Sequence, residues 1–241
     1  MRVPRDHRGI VGVVMLALVS TACGSVGDQS TPDLQPRVVL IVHVGDADPG
    51  QIRGDVRDLV MAAAHDGARL EVYALDSGSA ASMSQVVLSD EANGGNFVLT
   101  GGNQRYRDQE ALRYADLVMR DLDALFDTAT ASPTGADVIG AIVYGVAAVD
   151  RLPGDGSATV SLITGGGVHR TRALDLVAEE VSPENAAEVA SRVEPLAVPA
   201  GVVVEVRGVG RFEGAIPPVD PQFAQGVRMF WEVLCPSCRF H

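Results

Sequence analysis

The chain has no lysine: all 19 of its Lys and Arg positions are arginine, set against 31 carboxylates for a formal charge of −12. With abundant Ala, Gly, Val and Asp, this is the composition of a GC-rich genome such as an actinobacterial one. It bears on source and not on mechanism. A chain this acidic is repelled by phosphate backbones and by anionic lipid headgroups, which excludes nucleic acid as a partner. Beyond the first two dozen residues no apolar stretch approaches the roughly twenty residues that a membrane-spanning helix requires. His43, His65 and His169 are scattered, without the His-x-x-x-His pair of a helical zinc site. There is no Gly-x-Ser-x-Gly nucleophile elbow. Gly165-Gly166-Gly167 and Gly208-Val209-Gly210 follow strand-like segments but do not give Gly-x-Gly-x-x-Gly leading into a helix. They read as turn glycines rather than a phosphate loop. The chain has only three cysteines.

What is present begins at the N-terminus. Arg2, Arg5 and Arg8 precede an apolar run, Ile10 to Val19, followed by Ser20-Thr21-Ala22-Cys23-Gly24. A charged segment, a short apolar segment and small residues form an export signal, and ten residues are too few to span a bilayer. The small residues ahead of Cys23 resemble a bacterial lipobox. That resemblance implies cleavage before Cys23 and lipidation of its thiol, with the protein held at the extracytoplasmic face of the cell membrane. Residues 1–22 are then a signal peptide, 23–36 the lipidated Cys and a polar tether, and 37–241 the folded domain. Without residues 1–22, which hold three Arg and one Asp, the charge falls from −12 to −14. Contact with the membrane is expected through the lipid only.

From Arg37 onward strands and helices alternate. Val38–Val42 is a continuous aliphatic run of the kind buried on both faces in a parallel sheet. Asp48-Pro49 opens a helix to about His65, and Arg69–Leu75 is a second strand. Gln85–Leu88 and Asn96–Thr100 read as a hairpin around Asn93-Gly94-Gly95. Helices are expected over Arg107–Thr128, Ala136–Leu152, Ala173–Glu180, Pro183–Val193 and from Asp220-Pro221 to Leu234, with strands at Thr159–Thr164 and Val202–Val206. This pattern predicts an α/β fold: a three-layer α/β/α sandwich with a mainly parallel, Rossmann-like sheet in one domain. Phe223, Val227, Phe230, Trp231 and Leu234 recur at helical spacing and predict an apolar face packed on the sheet.

Four segments in this order resemble von Willebrand factor A domains: Val38–Val42 with His43-Val44-Gly45-Asp46-Ala47; Gly135-Ala136-Asp137-Val138-Ile139; Val160–Thr164 with Gly165-Gly166-Gly167; and Val202–Val206 with Arg207-Gly208-Val209-Gly210. In that family three loops bind a divalent cation through Asp and two Ser, then Thr, then Asp. The matching positions here are His43, Gly45, Ala47, Ala136 and Gly165, and none carries a side-chain oxygen. Mg²⁺ requires about six hard oxygens in an octahedron. The resemblance therefore implies the fold and an erased, degenerate metal site, with no metal and no cofactor. Asp46, Asp48 and Asp137 lie one or more positions away and would have to shift register to form a displaced site; as they stand they read as turn and helix-start carboxylates.

Two further candidates remain. Asp46, Asp137, His169 and Arg170 line the end of the sheet where open α/β folds bind ligands, a possible crevice for a small ligand or an enzyme site. Cys235-Pro236-Ser237-Cys238 has thiol–disulfide spacing, but it follows a helix and so sits at the negative end of the dipole. That placement disfavours a thiolate and favours a small disulfide staple. The expectation is a non-catalytic, lipid-anchored module that binds or scaffolds another envelope protein. Thiol exchange and crevice chemistry are the alternatives.

Overall fold

The computed structural model describes residues 35–44, 49–75, 83–86, 103–128, 136–212 and 219–241. The expected signal peptide, Cys23, most of the expected tether, Gly45, Asp46, Ala47, Asp48 and the expected strand at 96–100 lie outside the described residues. The described residues fall within one compact unit, Pro32–His241.

In chain order the elements are β1 (Arg37–His43), α1 (Pro49–His65), β2 (Arg69–Leu75), β3 (Ser84–Val86), α2 (Gln104–Thr128), α3 (Val138–Val149), β4 (Ala158–Ile163), α4 (Ala186–Ala190), β5 (Val202–Arg207), α5 (Pro221–Leu234) and β6 (Arg239–Phe240). They form an α/β fold around one sheet of order β3-β2-β1-β4-β5-β6. Only β3 runs antiparallel to its neighbour; β2, β1, β4, β5 and β6 are parallel. The aliphatic run of β1 is central because both its faces are covered. Val39 and Ile41 join a core with α3, α4 and α5. Leu40 and Val42 join a second core with α1 and α2. Helices thus lie on both sides of the sheet, with side chains alternating between layers as the pleat dictates.

The capping chemistry explains several boundaries. The expected helix from Ala136 starts only at Val138, because Asp137 is its N-cap and accepts from Gly140 N–H at 2.9 Å. Asp220 caps α5 in the same way, through Gln222 N–H at 2.8 Å, with Pro221 in the first turn. The expected helix over Ala173–Glu180 does not form. Asp175 accepts from the Val177 and Ala178 N–H groups as an N-cap would, which puts the start of the turn after it and leaves Ala173 and Leu174 outside, and Glu180 ends that turn with a left-handed φ of 47°. The expected helix over Pro183–Val193 shrinks to Ala186–Ala190.

Helix α5 seats as its spacing predicts: Phe230 and Trp231 are fully buried and stacked edge to face at 5.4 Å. Gly226 is the reason it can approach so closely. A Cβ there would lie 2.6 Å from Ser182 Cα, so no larger residue fits. Beyond α5, Cys235 and Cys238 are joined in a disulfide. The turn they close, with Cys238 N–H on Cys235 O at 3.0 Å, feeds the two-residue edge strand β6. That strand has no periodicity to betray it in the sequence.

Candidate functional site: the crevice between β1, β4 and α3

In this topology β1 and β4 are neighbours whose connections leave in opposite directions, α1 covering one face and α3 preceding β4 on the other. That divergence marks the ligand-binding end of an open parallel sheet. His43 closes β1 there and is 1% exposed. Its Nδ1 stands 3.4 Å from Thr164 Oγ1, just past β4, and Thr164 Oγ1 also accepts from Gly167 N–H at 3.1 Å. Thr164 N–H donates to Arg207 O at 3.0 Å, and Gly210 N–H to Gly166 O at 2.9 Å. The exits of β4 and β5 are therefore laced together. Gly167 holds a φ of 71°, open to glycine at little cost, and its carbonyl accepts Trp231 Nε1–H at 2.7 Å. The glycines are used for turns and close approach, and Gly166 O, both polar groups of Gly167 and the Gly208 and Gly210 N–H groups bond within the protein itself.

The next stretch folds back onto α3. Ala136 and His169 are bridged as parallel strand residues, with Arg170 N–H on Ala136 O at 3.0 Å. Arg170 and Asp175 face one another across a hairpin and are paired at 3.0 Å through Nε and 2.9 Å through a terminal nitrogen. Thr171 N–H donates to Leu174 O at 2.7 Å, and Thr171 Oγ1 accepts from Leu174 N–H at 3.1 Å. Desolvation pushes the Asp175 carboxyl up, but Arg170 and the Ala178 and Val177 N–H groups outweigh it and hold it below its usual range.

His169, whose sequence setting reads as a polar loop, is buried to 3% exposure. Its Nδ1 accepts the Ile139 N–H at 3.3 Å, in the first turn of α3, and its Nε2 lies 3.4 Å from Thr171 Oγ1. Asp137 Oδ1 is also 3.8 Å from Nδ1. That distance is an ion pair only if the ring is protonated, and a nitrogen that accepts an N–H carries no proton. Burial depresses the imidazole pKa below its ordinary value, with Asp137 and Asp175 opposing it less strongly. The ring is neutral, with its proton on Nε2.

The structure therefore brings His43, Ala136, Asp137, Gly165, His169 and Arg170 to one end of the sheet. Gly45, Ala47 and Asp46 lie outside the described residues. Ala136 and Gly165 offer no side-chain oxygen, and Asp137 spends its carboxylate on capping α3. Among the described residues no group of three or more His, Cys, Asp or Glu side chains is placed to hold a metal ion. Cys235 and Cys238 lie elsewhere, at the far end of α5, and Cys235 is fully buried. Sequence reasoning did not find the hairpin around Thr171–Leu174; the five-residue spacing of Arg170 and Asp175 was its only trace.

No protein-family model matches the chain, and no curated protein sequence matches it. Among solved structures it is similar to the open conformation of the pilus adhesin SpaC from Lactobacillus rhamnosus GG, with a TM-score of 0.42 and 10% identity. The similarity covers 86% of this chain, which spans 28% of the length of that one.

Proposed function

We propose that this chain is an extracytoplasmic lipoprotein, anchored through Cys23, whose folded part is a von Willebrand factor A-like domain with an erased metal site. It works without catalysis, as a binding or scaffold module for another protein of the cell envelope. The observation that carries this reading is that the described polar groups at this end of the sheet bond to one another. Ala136 and Gly165 stand where ligand oxygens would be expected. The first-turn donors of α3, the usual anchor for an anion, are taken by Ala136 O, His169 Nδ1 and Asp137 Oδ1. The element order, with the matched segments ending β1 and β4 and opening α3, supports the resemblance seen in the sequence. A buried, bonded Cys235 favours a staple over thiol exchange.

The full lipid-anchored chain, isolated from its own membranes with Mg²⁺ and in parallel with EDTA, tests this reading. A partner is expected to co-purify in fixed proportion and equally under both conditions, and millimolar Mg²⁺ is expected to leave Tm unchanged. A saturable Mg²⁺ stabilisation lost in Asp46→Ala or Asp137→Ala would overturn the metal-free reading. A Cys23→Ala variant that is processed and still bound to membranes as tightly as the parent would overturn the anchor.

A further inference from the structure

His169 does something that a packed core histidine need not do: it serves as a helix-capping acceptor from 30 residues away. The four leading N–H groups of α3 are all satisfied. Val138 N–H donates to Ala136 O at 2.9 Å and Ala141 N–H to Asp137 O at 3.0 Å. Gly140 N–H uses Asp137 Oδ1, and Ile139 N–H uses the imidazole. The ring is held in the accepting tautomer by Thr171, whose hydroxyl also accepts from Leu174 N–H and donates to Leu174 O at 3.2 Å. One buried ring thus ties the β4-exit hairpin to the start of α3.

We infer that His169 is a proton-operated clasp: neutral, it holds the hairpin to the first turn of α3, and protonated, it releases that turn. The inference does not depend on what the domain binds. A proton on Nδ1 sets N–H against the Ile139 N–H and places a positive charge at the positive end of the α3 dipole. It also buries a charge. The charged groups acting on the ring are Asp137 at the start of α3 and Asp175 on its own hairpin, the latter paired with Arg170. Asp137 is the natural partner of a protonated ring, 3.8 Å away. Its Oδ1 is already bonded to Gly140 N–H, so moving to meet the ring loosens a second cap while Ile139 stays unpaired. The first turn of α3 loses on either route.

The sign of the linkage is fixed by the direction of the shift. Burial lowers the folded-state pKa of His169, so the stability it supplies is complete above the unfolded value of about 6.5. That stability is lost as the pH falls from there toward the folded-state value. NMR of the folded chain between pH 8 and 4.5 follows both partners at once. The Ile139 amide is expected to shift, and to lose exchange protection by about tenfold or more beyond the intrinsic effect of pH, with the same midpoint as the His169 ring and below the ordinary histidine value. His169→Gln keeps an acceptor that does not titrate, and is expected to abolish the step. Asp137→Asn is expected to move the midpoint lower. A ring that titrates while the Ile139 amide stays still would overturn the proposal. So would a step that persists in His169→Gln, which would move it to His43 or Asp175. Should His169→Gln fail to fold, the paired titration of the unaltered chain decides the matter alone.

Discussion

The two helical layers are attached to the same sheet by different means. On the α3–α4–α5 side, large aromatics and side-chain-to-backbone bonds do the fastening: Trp231 donates to the Gly167 carbonyl, and Gly226 lies against the Ser182 backbone. On the α1–α2 side the contact is made by Ile52, Val56, Val60, Ala115, Val118 and Leu122. Outside that seam, exposed ion pairs join the helices, Arg53 to Asp123 at 2.7 Å and Arg57 to Asp116 at 3.1 Å. Strand β5 records the asymmetry. Its Val204 and Val206 are fully buried on the first side, whereas Val203, Glu205 and Arg207 stay partly exposed on the other. One layer is keyed by paired large aromatics and a close backbone approach, and the other is mainly aliphatic contact around Tyr114, with Arg53 over the Phe126 ring at its margin.

That contrast can be broken by substitution. The largest effect is expected from Trp231→Ala, since truncating a buried Trp typically costs ~3–5 kcal/mol, a large share of a domain's stability. Trp231 is the only tryptophan, so its fluorescence reports on the layer directly. A solvated emission maximum in the folded protein would refute the packing. Gly226→Ala should come next. Its added methyl meets backbone and not a movable side chain, and overpacking of this kind costs about 1–3 kcal/mol. Chemical denaturation at unchanged m-value would register it. Replacing Cys235 and Cys238 by Ser reopens only a four-residue loop, for which the chain-entropy model gives at most about 2 kcal/mol. Unfolding of that variant at room temperature would mean that β6 carries more of the sheet than its two residues suggest. On the opposite layer Arg53→Gln is expected to cost about 0–1 kcal/mol, because both partners are 43% exposed and screened. A loss as large as that of Trp231→Ala would erase the distinction between the layers.

Periodicity carried the elements that bury apolar stripes. The β1 run, the face of α5 and its Asp-Pro start were legible because burial and capping each leave a residue pattern. The segment Ala173–Glu180 misled for the same reason. Leu174, Val177, Ala178 and Val181 fall at helical spacing, but Asp175 caps a turn that begins only after it, and Glu180 ends that turn with a left-handed φ. In the crevice, the absence of ligand oxygens at Ala136 and Gly165 was readable letter by letter. The burial of His169 was not, because its partner is the backbone N–H of Ile139, and a backbone donor has no letter.

The place of β1 in the sheet also bears on how the chain acquires its structure. β1 is the earliest strand among the described residues, yet it lies between β2 and β4, and its last residue meets Thr164, 121 positions later. No partial product can complete the centre of the sheet. This apolar strand must wait, with one edge unsatisfied, until the chain has been made past Thr164. Non-local parallel pairing of this kind folds slowly and leaves hydrophobic edges open in the interval. The arrangement that gives β1 the best-protected position in the finished molecule therefore makes it the most vulnerable segment of the unfinished one.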